Sequence, residues 1–138
     1  MRAKVLEKEE VLQKIGEVLS GFEEIDIGYV FGSFLKGEFE DIDVALLVSK
    51  SPSPYESMKF AMKVGREVER TLKYSFEIDV KILNSSPTYF QYEVIKNGKV
   101  VFCKDETKRI RYEAKVLSNY LDYKDTLDWI DKKLLARV

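Results

Sequence analysis

Gly32-Ser33-Phe34-Leu35-Lys36-Gly37-Glu38-Phe39-Glu40-Asp41-Ile42-Asp43-Val44-Ala45-Leu46-Leu47-Val48 is the stretch on which the reading of this chain turns. Val44 to Val48 is an unbroken apolar run, the pattern of a buried strand. Asp41 and Asp43 open that strand, and alternation puts both on one side, with Ile42 and Val44 on the other. Two carboxylates side by side at the mouth of a buried strand repel each other and are costly to desolvate. A bound cation removes both penalties, and an all-oxygen ligand set suits magnesium or manganese. Upstream, the short apolar strand Gly28 to Phe31 runs directly into Gly32-Ser33. Without a Cβ at Gly32 the backbone can come close to an anion, where free amides and the Ser33 hydroxyl can hold phosphate oxygens. Lys36 can add a point charge to the same phosphates. A phosphate cradle beside metal-binding carboxylates is the chemistry of nucleotides.

These residues resemble the signature of the polymerase-β-type nucleotidyltransferase superfamily: Gly-Ser, a spacer, then Asp-x-Asp. The chain is most similar to its minimal members, the MNT proteins that serve as antitoxins in prokaryotic HEPN–MNT pairs. Two departures stand out. Lys36 occupies the place of the family's usual arginine, and only seven residues separate Ser33 from Asp41, with Glu40 where the family has serine. Leu83-Asn84, Pro87 and the late Tyr120-Leu121-Asp122-Tyr123-Lys124 are similar to the tail of MNT antitoxins, so the resemblance extends over nearly the whole chain.

The resemblance implies a mixed sheet with Gly-Ser after its first strand, Asp-x-Asp on its second and a third acidic residue on a following strand. Asp79, in Phe76-Glu77-Ile78-Asp79-Val80, matches that third position, with Glu77 as its rival. It further implies that Asp41, Asp43 and Asp79 are catalytic and bind two magnesium ions, with manganese as the substitute. Gly32, Ser33 and Lys36 would hold the phosphates of ATP, and Asp79 would be the base. The implied reaction is AMP transfer from ATP to a hydroxyl, a tyrosine on a HEPN-type RNase toxin. The alternatives are an antitoxin that neutralises by binding alone, and a small-molecule nucleotidyltransferase of the aminoglycoside-modifying kind.

Composition narrows the chemistry. None of the 138 residues is histidine, so catalytic triads, His-ligated zinc and His bases are excluded, and carboxylates must carry any metal or base chemistry. The single cysteine, Cys103, excludes an internal disulfide and suits a reducing cytoplasm; its apolar surroundings predict a buried packing role. A net charge of −1 argues against an electrostatically driven nucleic-acid binder. No signal peptide or membrane-length apolar segment is seen. The length is that of one domain, 1–138, with a core over about 1–103 and a helical extension over about 105–137. Homo- and hetero-oligomers are both compatible with it.

Taken in order, periodicity predicts a helix over about 7–20, strands at 25–31 and 41–48, and a helix from Pro54 to about Lys73. Ser53, Pro54 and Glu56 have the form of a capping box with proline at the first helical position. Met58, Ala61, Met62, Gly65, Val68 and Leu72 form that helix's expected buried face, with Gly65 explained by close packing on the sheet. A strand at 76–82 follows, then a short helix started by Ser86-Pro87 and a last strand from Lys99 to Cys103. The extension is expected to break near 122–125 and to carry an apolar seam through Ile110, Ala114, Leu117, Leu121, Leu127, Ile130 and Leu134. Tyr112, Tyr120 and Tyr123 are expected to pack on it. The class is α+β, a small mixed sheet covered by helices with the motif at its centre.

Overall fold

Strand β1 (Ile25–Phe31) lies inside the sheet and is buried along nearly its whole length. The computed structural model describes residues 2–32, 34 and 41–136, so the expected phosphate ligands Ser33 and Lys36 lie outside the described residues. β1 pairs antiparallel with β2 (Asp41–Val48). Strand β3 (Glu77–Ile82) runs parallel to β2, and β4 (Lys99–Cys103) lies antiparallel on the far side of β1. The order β3-β2-β1-β4 is the mixed sheet expected from the sequence. A parallel pair needs a crossover, and helix α2 (Pro54–Thr71) supplies it between β2 and β3. Helices α1 (Arg2–Ser20), α3 (Thr88–Asn97) and α4 (Glu106–Ala136), with a 3-10 turn at Leu83–Ser85 after β3, complete the described elements.

A register irregularity between Ile25 and Ile27 resets the alternation of β1. Beyond it, Val30 joins Ile42, Val44 and Leu46 in one core, against Ile15 and Leu19 of α1 and Val64 and Val68 of α2. Ile27 and Tyr29 join Ala45 and Leu47 in a second core, closed by Leu83 and by Val94 of α3. Each such side chain stabilises the fold by roughly 1.5–3 kcal/mol on burial. α1 lies so close to β4 that a Cβ at Gly16 would run into the Val101 carbonyl.

Several expectations need correction. Helix α1 begins at Arg2, earlier than about residue 7, and α4 runs unbroken through 122–125. The α2 start is as expected, with both arms of the Ser53–Glu56 capping box formed. Of its expected buried face Gly65, Val68 and Leu72 are buried and Ala61 is half-buried, joined by Ser57 and Val64, while Met62 is 50% exposed and Met58 is exposed as well. The N-cap of α3 is Pro87, whose ring can make no side-chain bond, and not Ser86, whose hydroxyl donates to the Ile82 carbonyl. Cys103 is only half-buried; burial, then a bond to Glu106, raises its thiol above the usual range.

Gly65 does not owe its presence to contact with the sheet. A Cβ there would lie 3.6 Å from Val80 Cγ2 and 3.7 Å from the Ile78 carbonyl, ordinary packing distances. Gly65→Ala should therefore gain most of the helix-propensity difference, about 1 kcal/mol of added stability by denaturant titration. A loss of stability would show that α2 sits tighter on β3 than described.

α4 is tied down by polar contacts spaced along one face. The Tyr29 hydroxyl donates to Glu113 Oε2 at 2.7 Å, Arg109 reaches the same oxygen at 3.2 Å, and Tyr112 donates to Gln91 Oε1 at 2.7 Å. Burial first, then the bond to Glu113, pushes the Tyr29 phenol far above its ordinary value, so it remains a donor. Lys108 pairs with Asp26, which is buried, and Tyr120 stacks on Tyr92 at 3.9 Å between ring centres. The inward face is thus Arg109, Tyr112, Glu113 and Val116. The expected apolar seam turns outward at Ile110, 61% exposed, and at Leu121 and Leu127. The side chains of Tyr123, Ile130 and Leu134 lie outside the described set. Among the described residues no helix is long and apolar enough to cross a membrane.

Candidate active site

The carboxylates collect on the sheet face that carries the smaller core. Asp43 sits opposite Phe31 of β1 and in register with Asp79 of β3, while Asp41 is in register with Glu77. Side chains in register on one face project in parallel from strands about 4.8 Å apart. Asp41, Asp43, Glu77 and Asp79 therefore share one surface, as the alternation of the two strands predicts. Ile42, Val44, Ile78 and Val80 turn to the other side and anchor both strands in the larger core.

Gly32 follows β1 at once and has φ +84°, the left-handed region that favours glycine. A Cβ on it would run into Asp43 Oδ2. The turn and the second aspartate are thus in contact, joining the two halves of the motif. Gly32, Asp41, Asp43 and Asp79 are brought together; Ser33 and Lys36 lie outside the described residues.

Charge is concentrated here. Asp43 is half-buried, and its carboxyl is held above the ordinary value by burial first, then by the charges of Asp79 and Asp41, with Lys81 pulling the other way. Lys81 Nζ stands 3.7 Å from Asp79 Oδ2. Lys81, which the motif reading passed over, is thus the local cation that partly offsets the acidic surface. Its position two residues after Asp79 was the available signal.

Among the described residues no three acidic or cysteine side chains are gathered closely enough to enclose an ion. Asp41 is exposed, and Asp79 leans toward Lys81. The donor set still fits a hard divalent cation: all oxygen, on one face, and mutually repelling to the point of raising the Asp43 carboxyl. Such a cation would replace Lys81 as the compensating charge.

A family profile described as "Polymerase beta, Nucleotidyltransferase" matches residues 13–107, which include all four strands and the whole carboxylate surface. Among solved structures, the chain is similar to one in the complex of tri-AMPylated Shewanella oneidensis HEPN toxin with MNT antitoxin. That likeness has a TM-score of 0.66 at 19% identity, covering 93% of this chain and 98% of the other. It is similar also to a chain of a toxin–antitoxin complex with AMP-PNP, at TM-score 0.65 and 20% identity over 90% of this chain and 98% of that one. The MntA–HepT toxin–antitoxin complex gives TM-score 0.65 at 18% identity, over 92% and 98%. Comparison with curated proteins finds no match. At these identities the solved structures establish the fold, α4 included.

Proposed function

The chain belongs to the polymerase β nucleotidyltransferase family, and we propose that it is a protein adenylyltransferase serving as an antitoxin, which moves AMP from ATP to a tyrosine of a HEPN-type toxin. The observation that carries this reading is the contact of the Gly32 turn with Asp43, and of Asp43 in register with Asp79, in a chain whose fold is like that of an MNT antitoxin over 93% of its length. Residues 1–138 act as one domain in this reading.

Across the sheet the site is ordered from phosphate to acceptor. The Gly32 amide, with Ser33 and Lys36, would bind the β and γ phosphates at the β1 end. Asp41, Asp43 and Asp79 would hold magnesium, which when bound neutralises the triphosphate and lowers the pKa of an attacking hydroxyl. Asp79, exposed at the outer strand, would receive the proton of the tyrosine, whose unperturbed pKa is about 10. The tyrosyl oxygen attacks the α-phosphorus and the bond to the β-phosphate breaks. AMP is left on the acceptor and pyrophosphate departs past the Gly32 turn. Transfer of AMP neutralises the toxin by adding a bulky anion.

The test is incubation with α-labelled ATP and magnesium, with and without the cognate HEPN toxin. Label on the toxin is expected. A tight complex that never takes up label would make the chain an antitoxin that works by binding alone.

A further inference from the structure

Lys81 is the cation of the carboxylate surface, and the fold does not need it there. It stands two residues after Asp79 on β3, in register with Ala45, so strand alternation puts it on the face of Asp43 and Asp79. Its ammonium lies 3.7 Å from Asp79 Oδ2, with the two side chains 54% and 56% exposed. A pair so open to water contributes little to folding. Its effect is on the site: among the charges that act on Asp43 it is the positive one, set against Asp79 and Asp41.

A divalent ion held by Asp43 and Asp79 takes over that role, and Lys81 is then left beside a charge of its own sign. Among the described residues Asp79 is its only ion-pair partner, and the sheet offers no second carboxylate within reach. Asp41 and Glu77 lie beyond Asp43 and Asp79, on the side away from Lys81. Glu77, four residues back along the same strand, is about 13 Å distant. In the other direction the face continues as apolar core at Ala45 and Leu47, and Asp26 is buried against Lys108. The anion that does come within reach is the one the metal itself brings. Oxygens bound to one magnesium ion at about 2.0–2.1 Å lie about 3 Å apart. An ammonium that reaches Asp79 Oδ2 therefore reaches a phosphate oxygen on the same ion after a small swing. Lysine suits such a change, being a point charge with three donors on a flexible stem, without arginine's fixed fork.

Resting on the reading above, we infer that Lys81 exchanges partners: it neutralises Asp79 while the metal is absent, and with metal bound it pairs with the α-phosphate of ATP. The same side chain thus opposes the cation alone and favours the cation with its nucleotide, which biases the site toward filling by both together.

Calorimetric titration of Mn2+ alone, and of AMP-PNP at saturating Mn2+, into wild type and Lys81→Met tests the exchange without the toxin. Two unit charges about 4 Å apart in water change an equilibrium constant about fivefold, and the ion carries two. Lys81→Met should therefore bind Mn2+ at least fivefold more tightly and AMP-PNP at least fivefold more weakly. Both shifts should shrink as ionic strength rises, because the group is exposed. Lys50→Met removes the same charge from an exposed position past the other end of β2 and should change neither affinity. An unchanged affinity for Mn2+ or for AMP-PNP in Lys81→Met overturns the inference and leaves the site reading in place, as does an equal shift in Lys50→Met. Absence of Mn2+ binding in both wild type and Lys81→Met removes the metal reading and the inference with it. Both shifts in a protein that never labels the toxin would leave the exchange standing and remove the acceptor reading instead.

Discussion

Asp43→Asn should abolish AMP transfer and, in the absence of divalent cations, raise the melting temperature. Both follow from one arrangement. Asp43 lies between the Gly32 turn and Asp79, half-buried, with Asp41 two residues before it on the same face. Every ordinary contribution to its environment except Lys81 disfavours the ionised form. At neutral pH a metal-free protein holds that charge against its preference, and a neutral isostere relieves it. Transfer behaves oppositely, because a ligand carboxylate is worth several kcal/mol of transition-state stabilisation, about 10³-fold in rate or more.

The pH dependence of the metal-free protein checks the same point. The folded-state value of Asp43 lies above the ordinary 3.8, so the folded protein binds this proton more tightly than the unfolded chain. The contribution is full below the unfolded value and is lost as pH rises through the raised folded value. Wild type should lose stability over that interval relative to Asp43→Asn, and magnesium should restore it in wild type only. A lower melting temperature for the variant in chelator would remove the repulsion argument. Labelled toxin from a folded variant would remove Asp43 from the chemistry.

How much of this was legible beforehand depended on how local the cause was. The Asp41 and Asp43 side of β2 and the Glu77, Asp79 and Lys81 side of β3 are written in strand alternation, which the larger core enforces. Their register with one another came only from family resemblance, since alternation within a strand says nothing of its neighbour. The face of α2 was misread because methionine counts as apolar wherever it sits. Met62 falls beside the sheet edge, where among the described residues no further strand lies beyond β3. The outward turn of the α4 seam has a comparable cause. Tyr29, 84 residues before Glu113, fixes the helix's rotation by a hydrogen bond that no periodicity could reveal. The irregularity at Ile25 likewise places Asp26 against Lys108, a pairing across 82 residues. The phosphate side, Ser33 and Lys36, stays an inference from the motif, with Gly32 its described part.

Gly32→Ala should cost about 1–2 kcal/mol of stability and lower transfer by about 10²-fold or more, two losses with separable origins. The stability loss comes from φ +84°, where an L side chain crowds its own backbone. The transfer loss comes from the Cβ, which would occupy the place of Asp43 Oδ2. That oxygen ends a short side chain that can swing aside, so folding survives the collision. The site does not, because displacement of a ligand by about 1 Å costs about 10²-fold in rate. Asparagine separates the two effects. It tolerates the left-handed region better than alanine does, yet it brings the same Cβ. Gly32→Asn should accordingly recover part of the stability, measured by denaturant titration, and none of the transfer. Recovery of transfer along with stability would mean that only the backbone conformation of the turn matters and that its contact with Asp43 is incidental. An alanine variant as stable and as active as wild type would detach the turn from the site altogether.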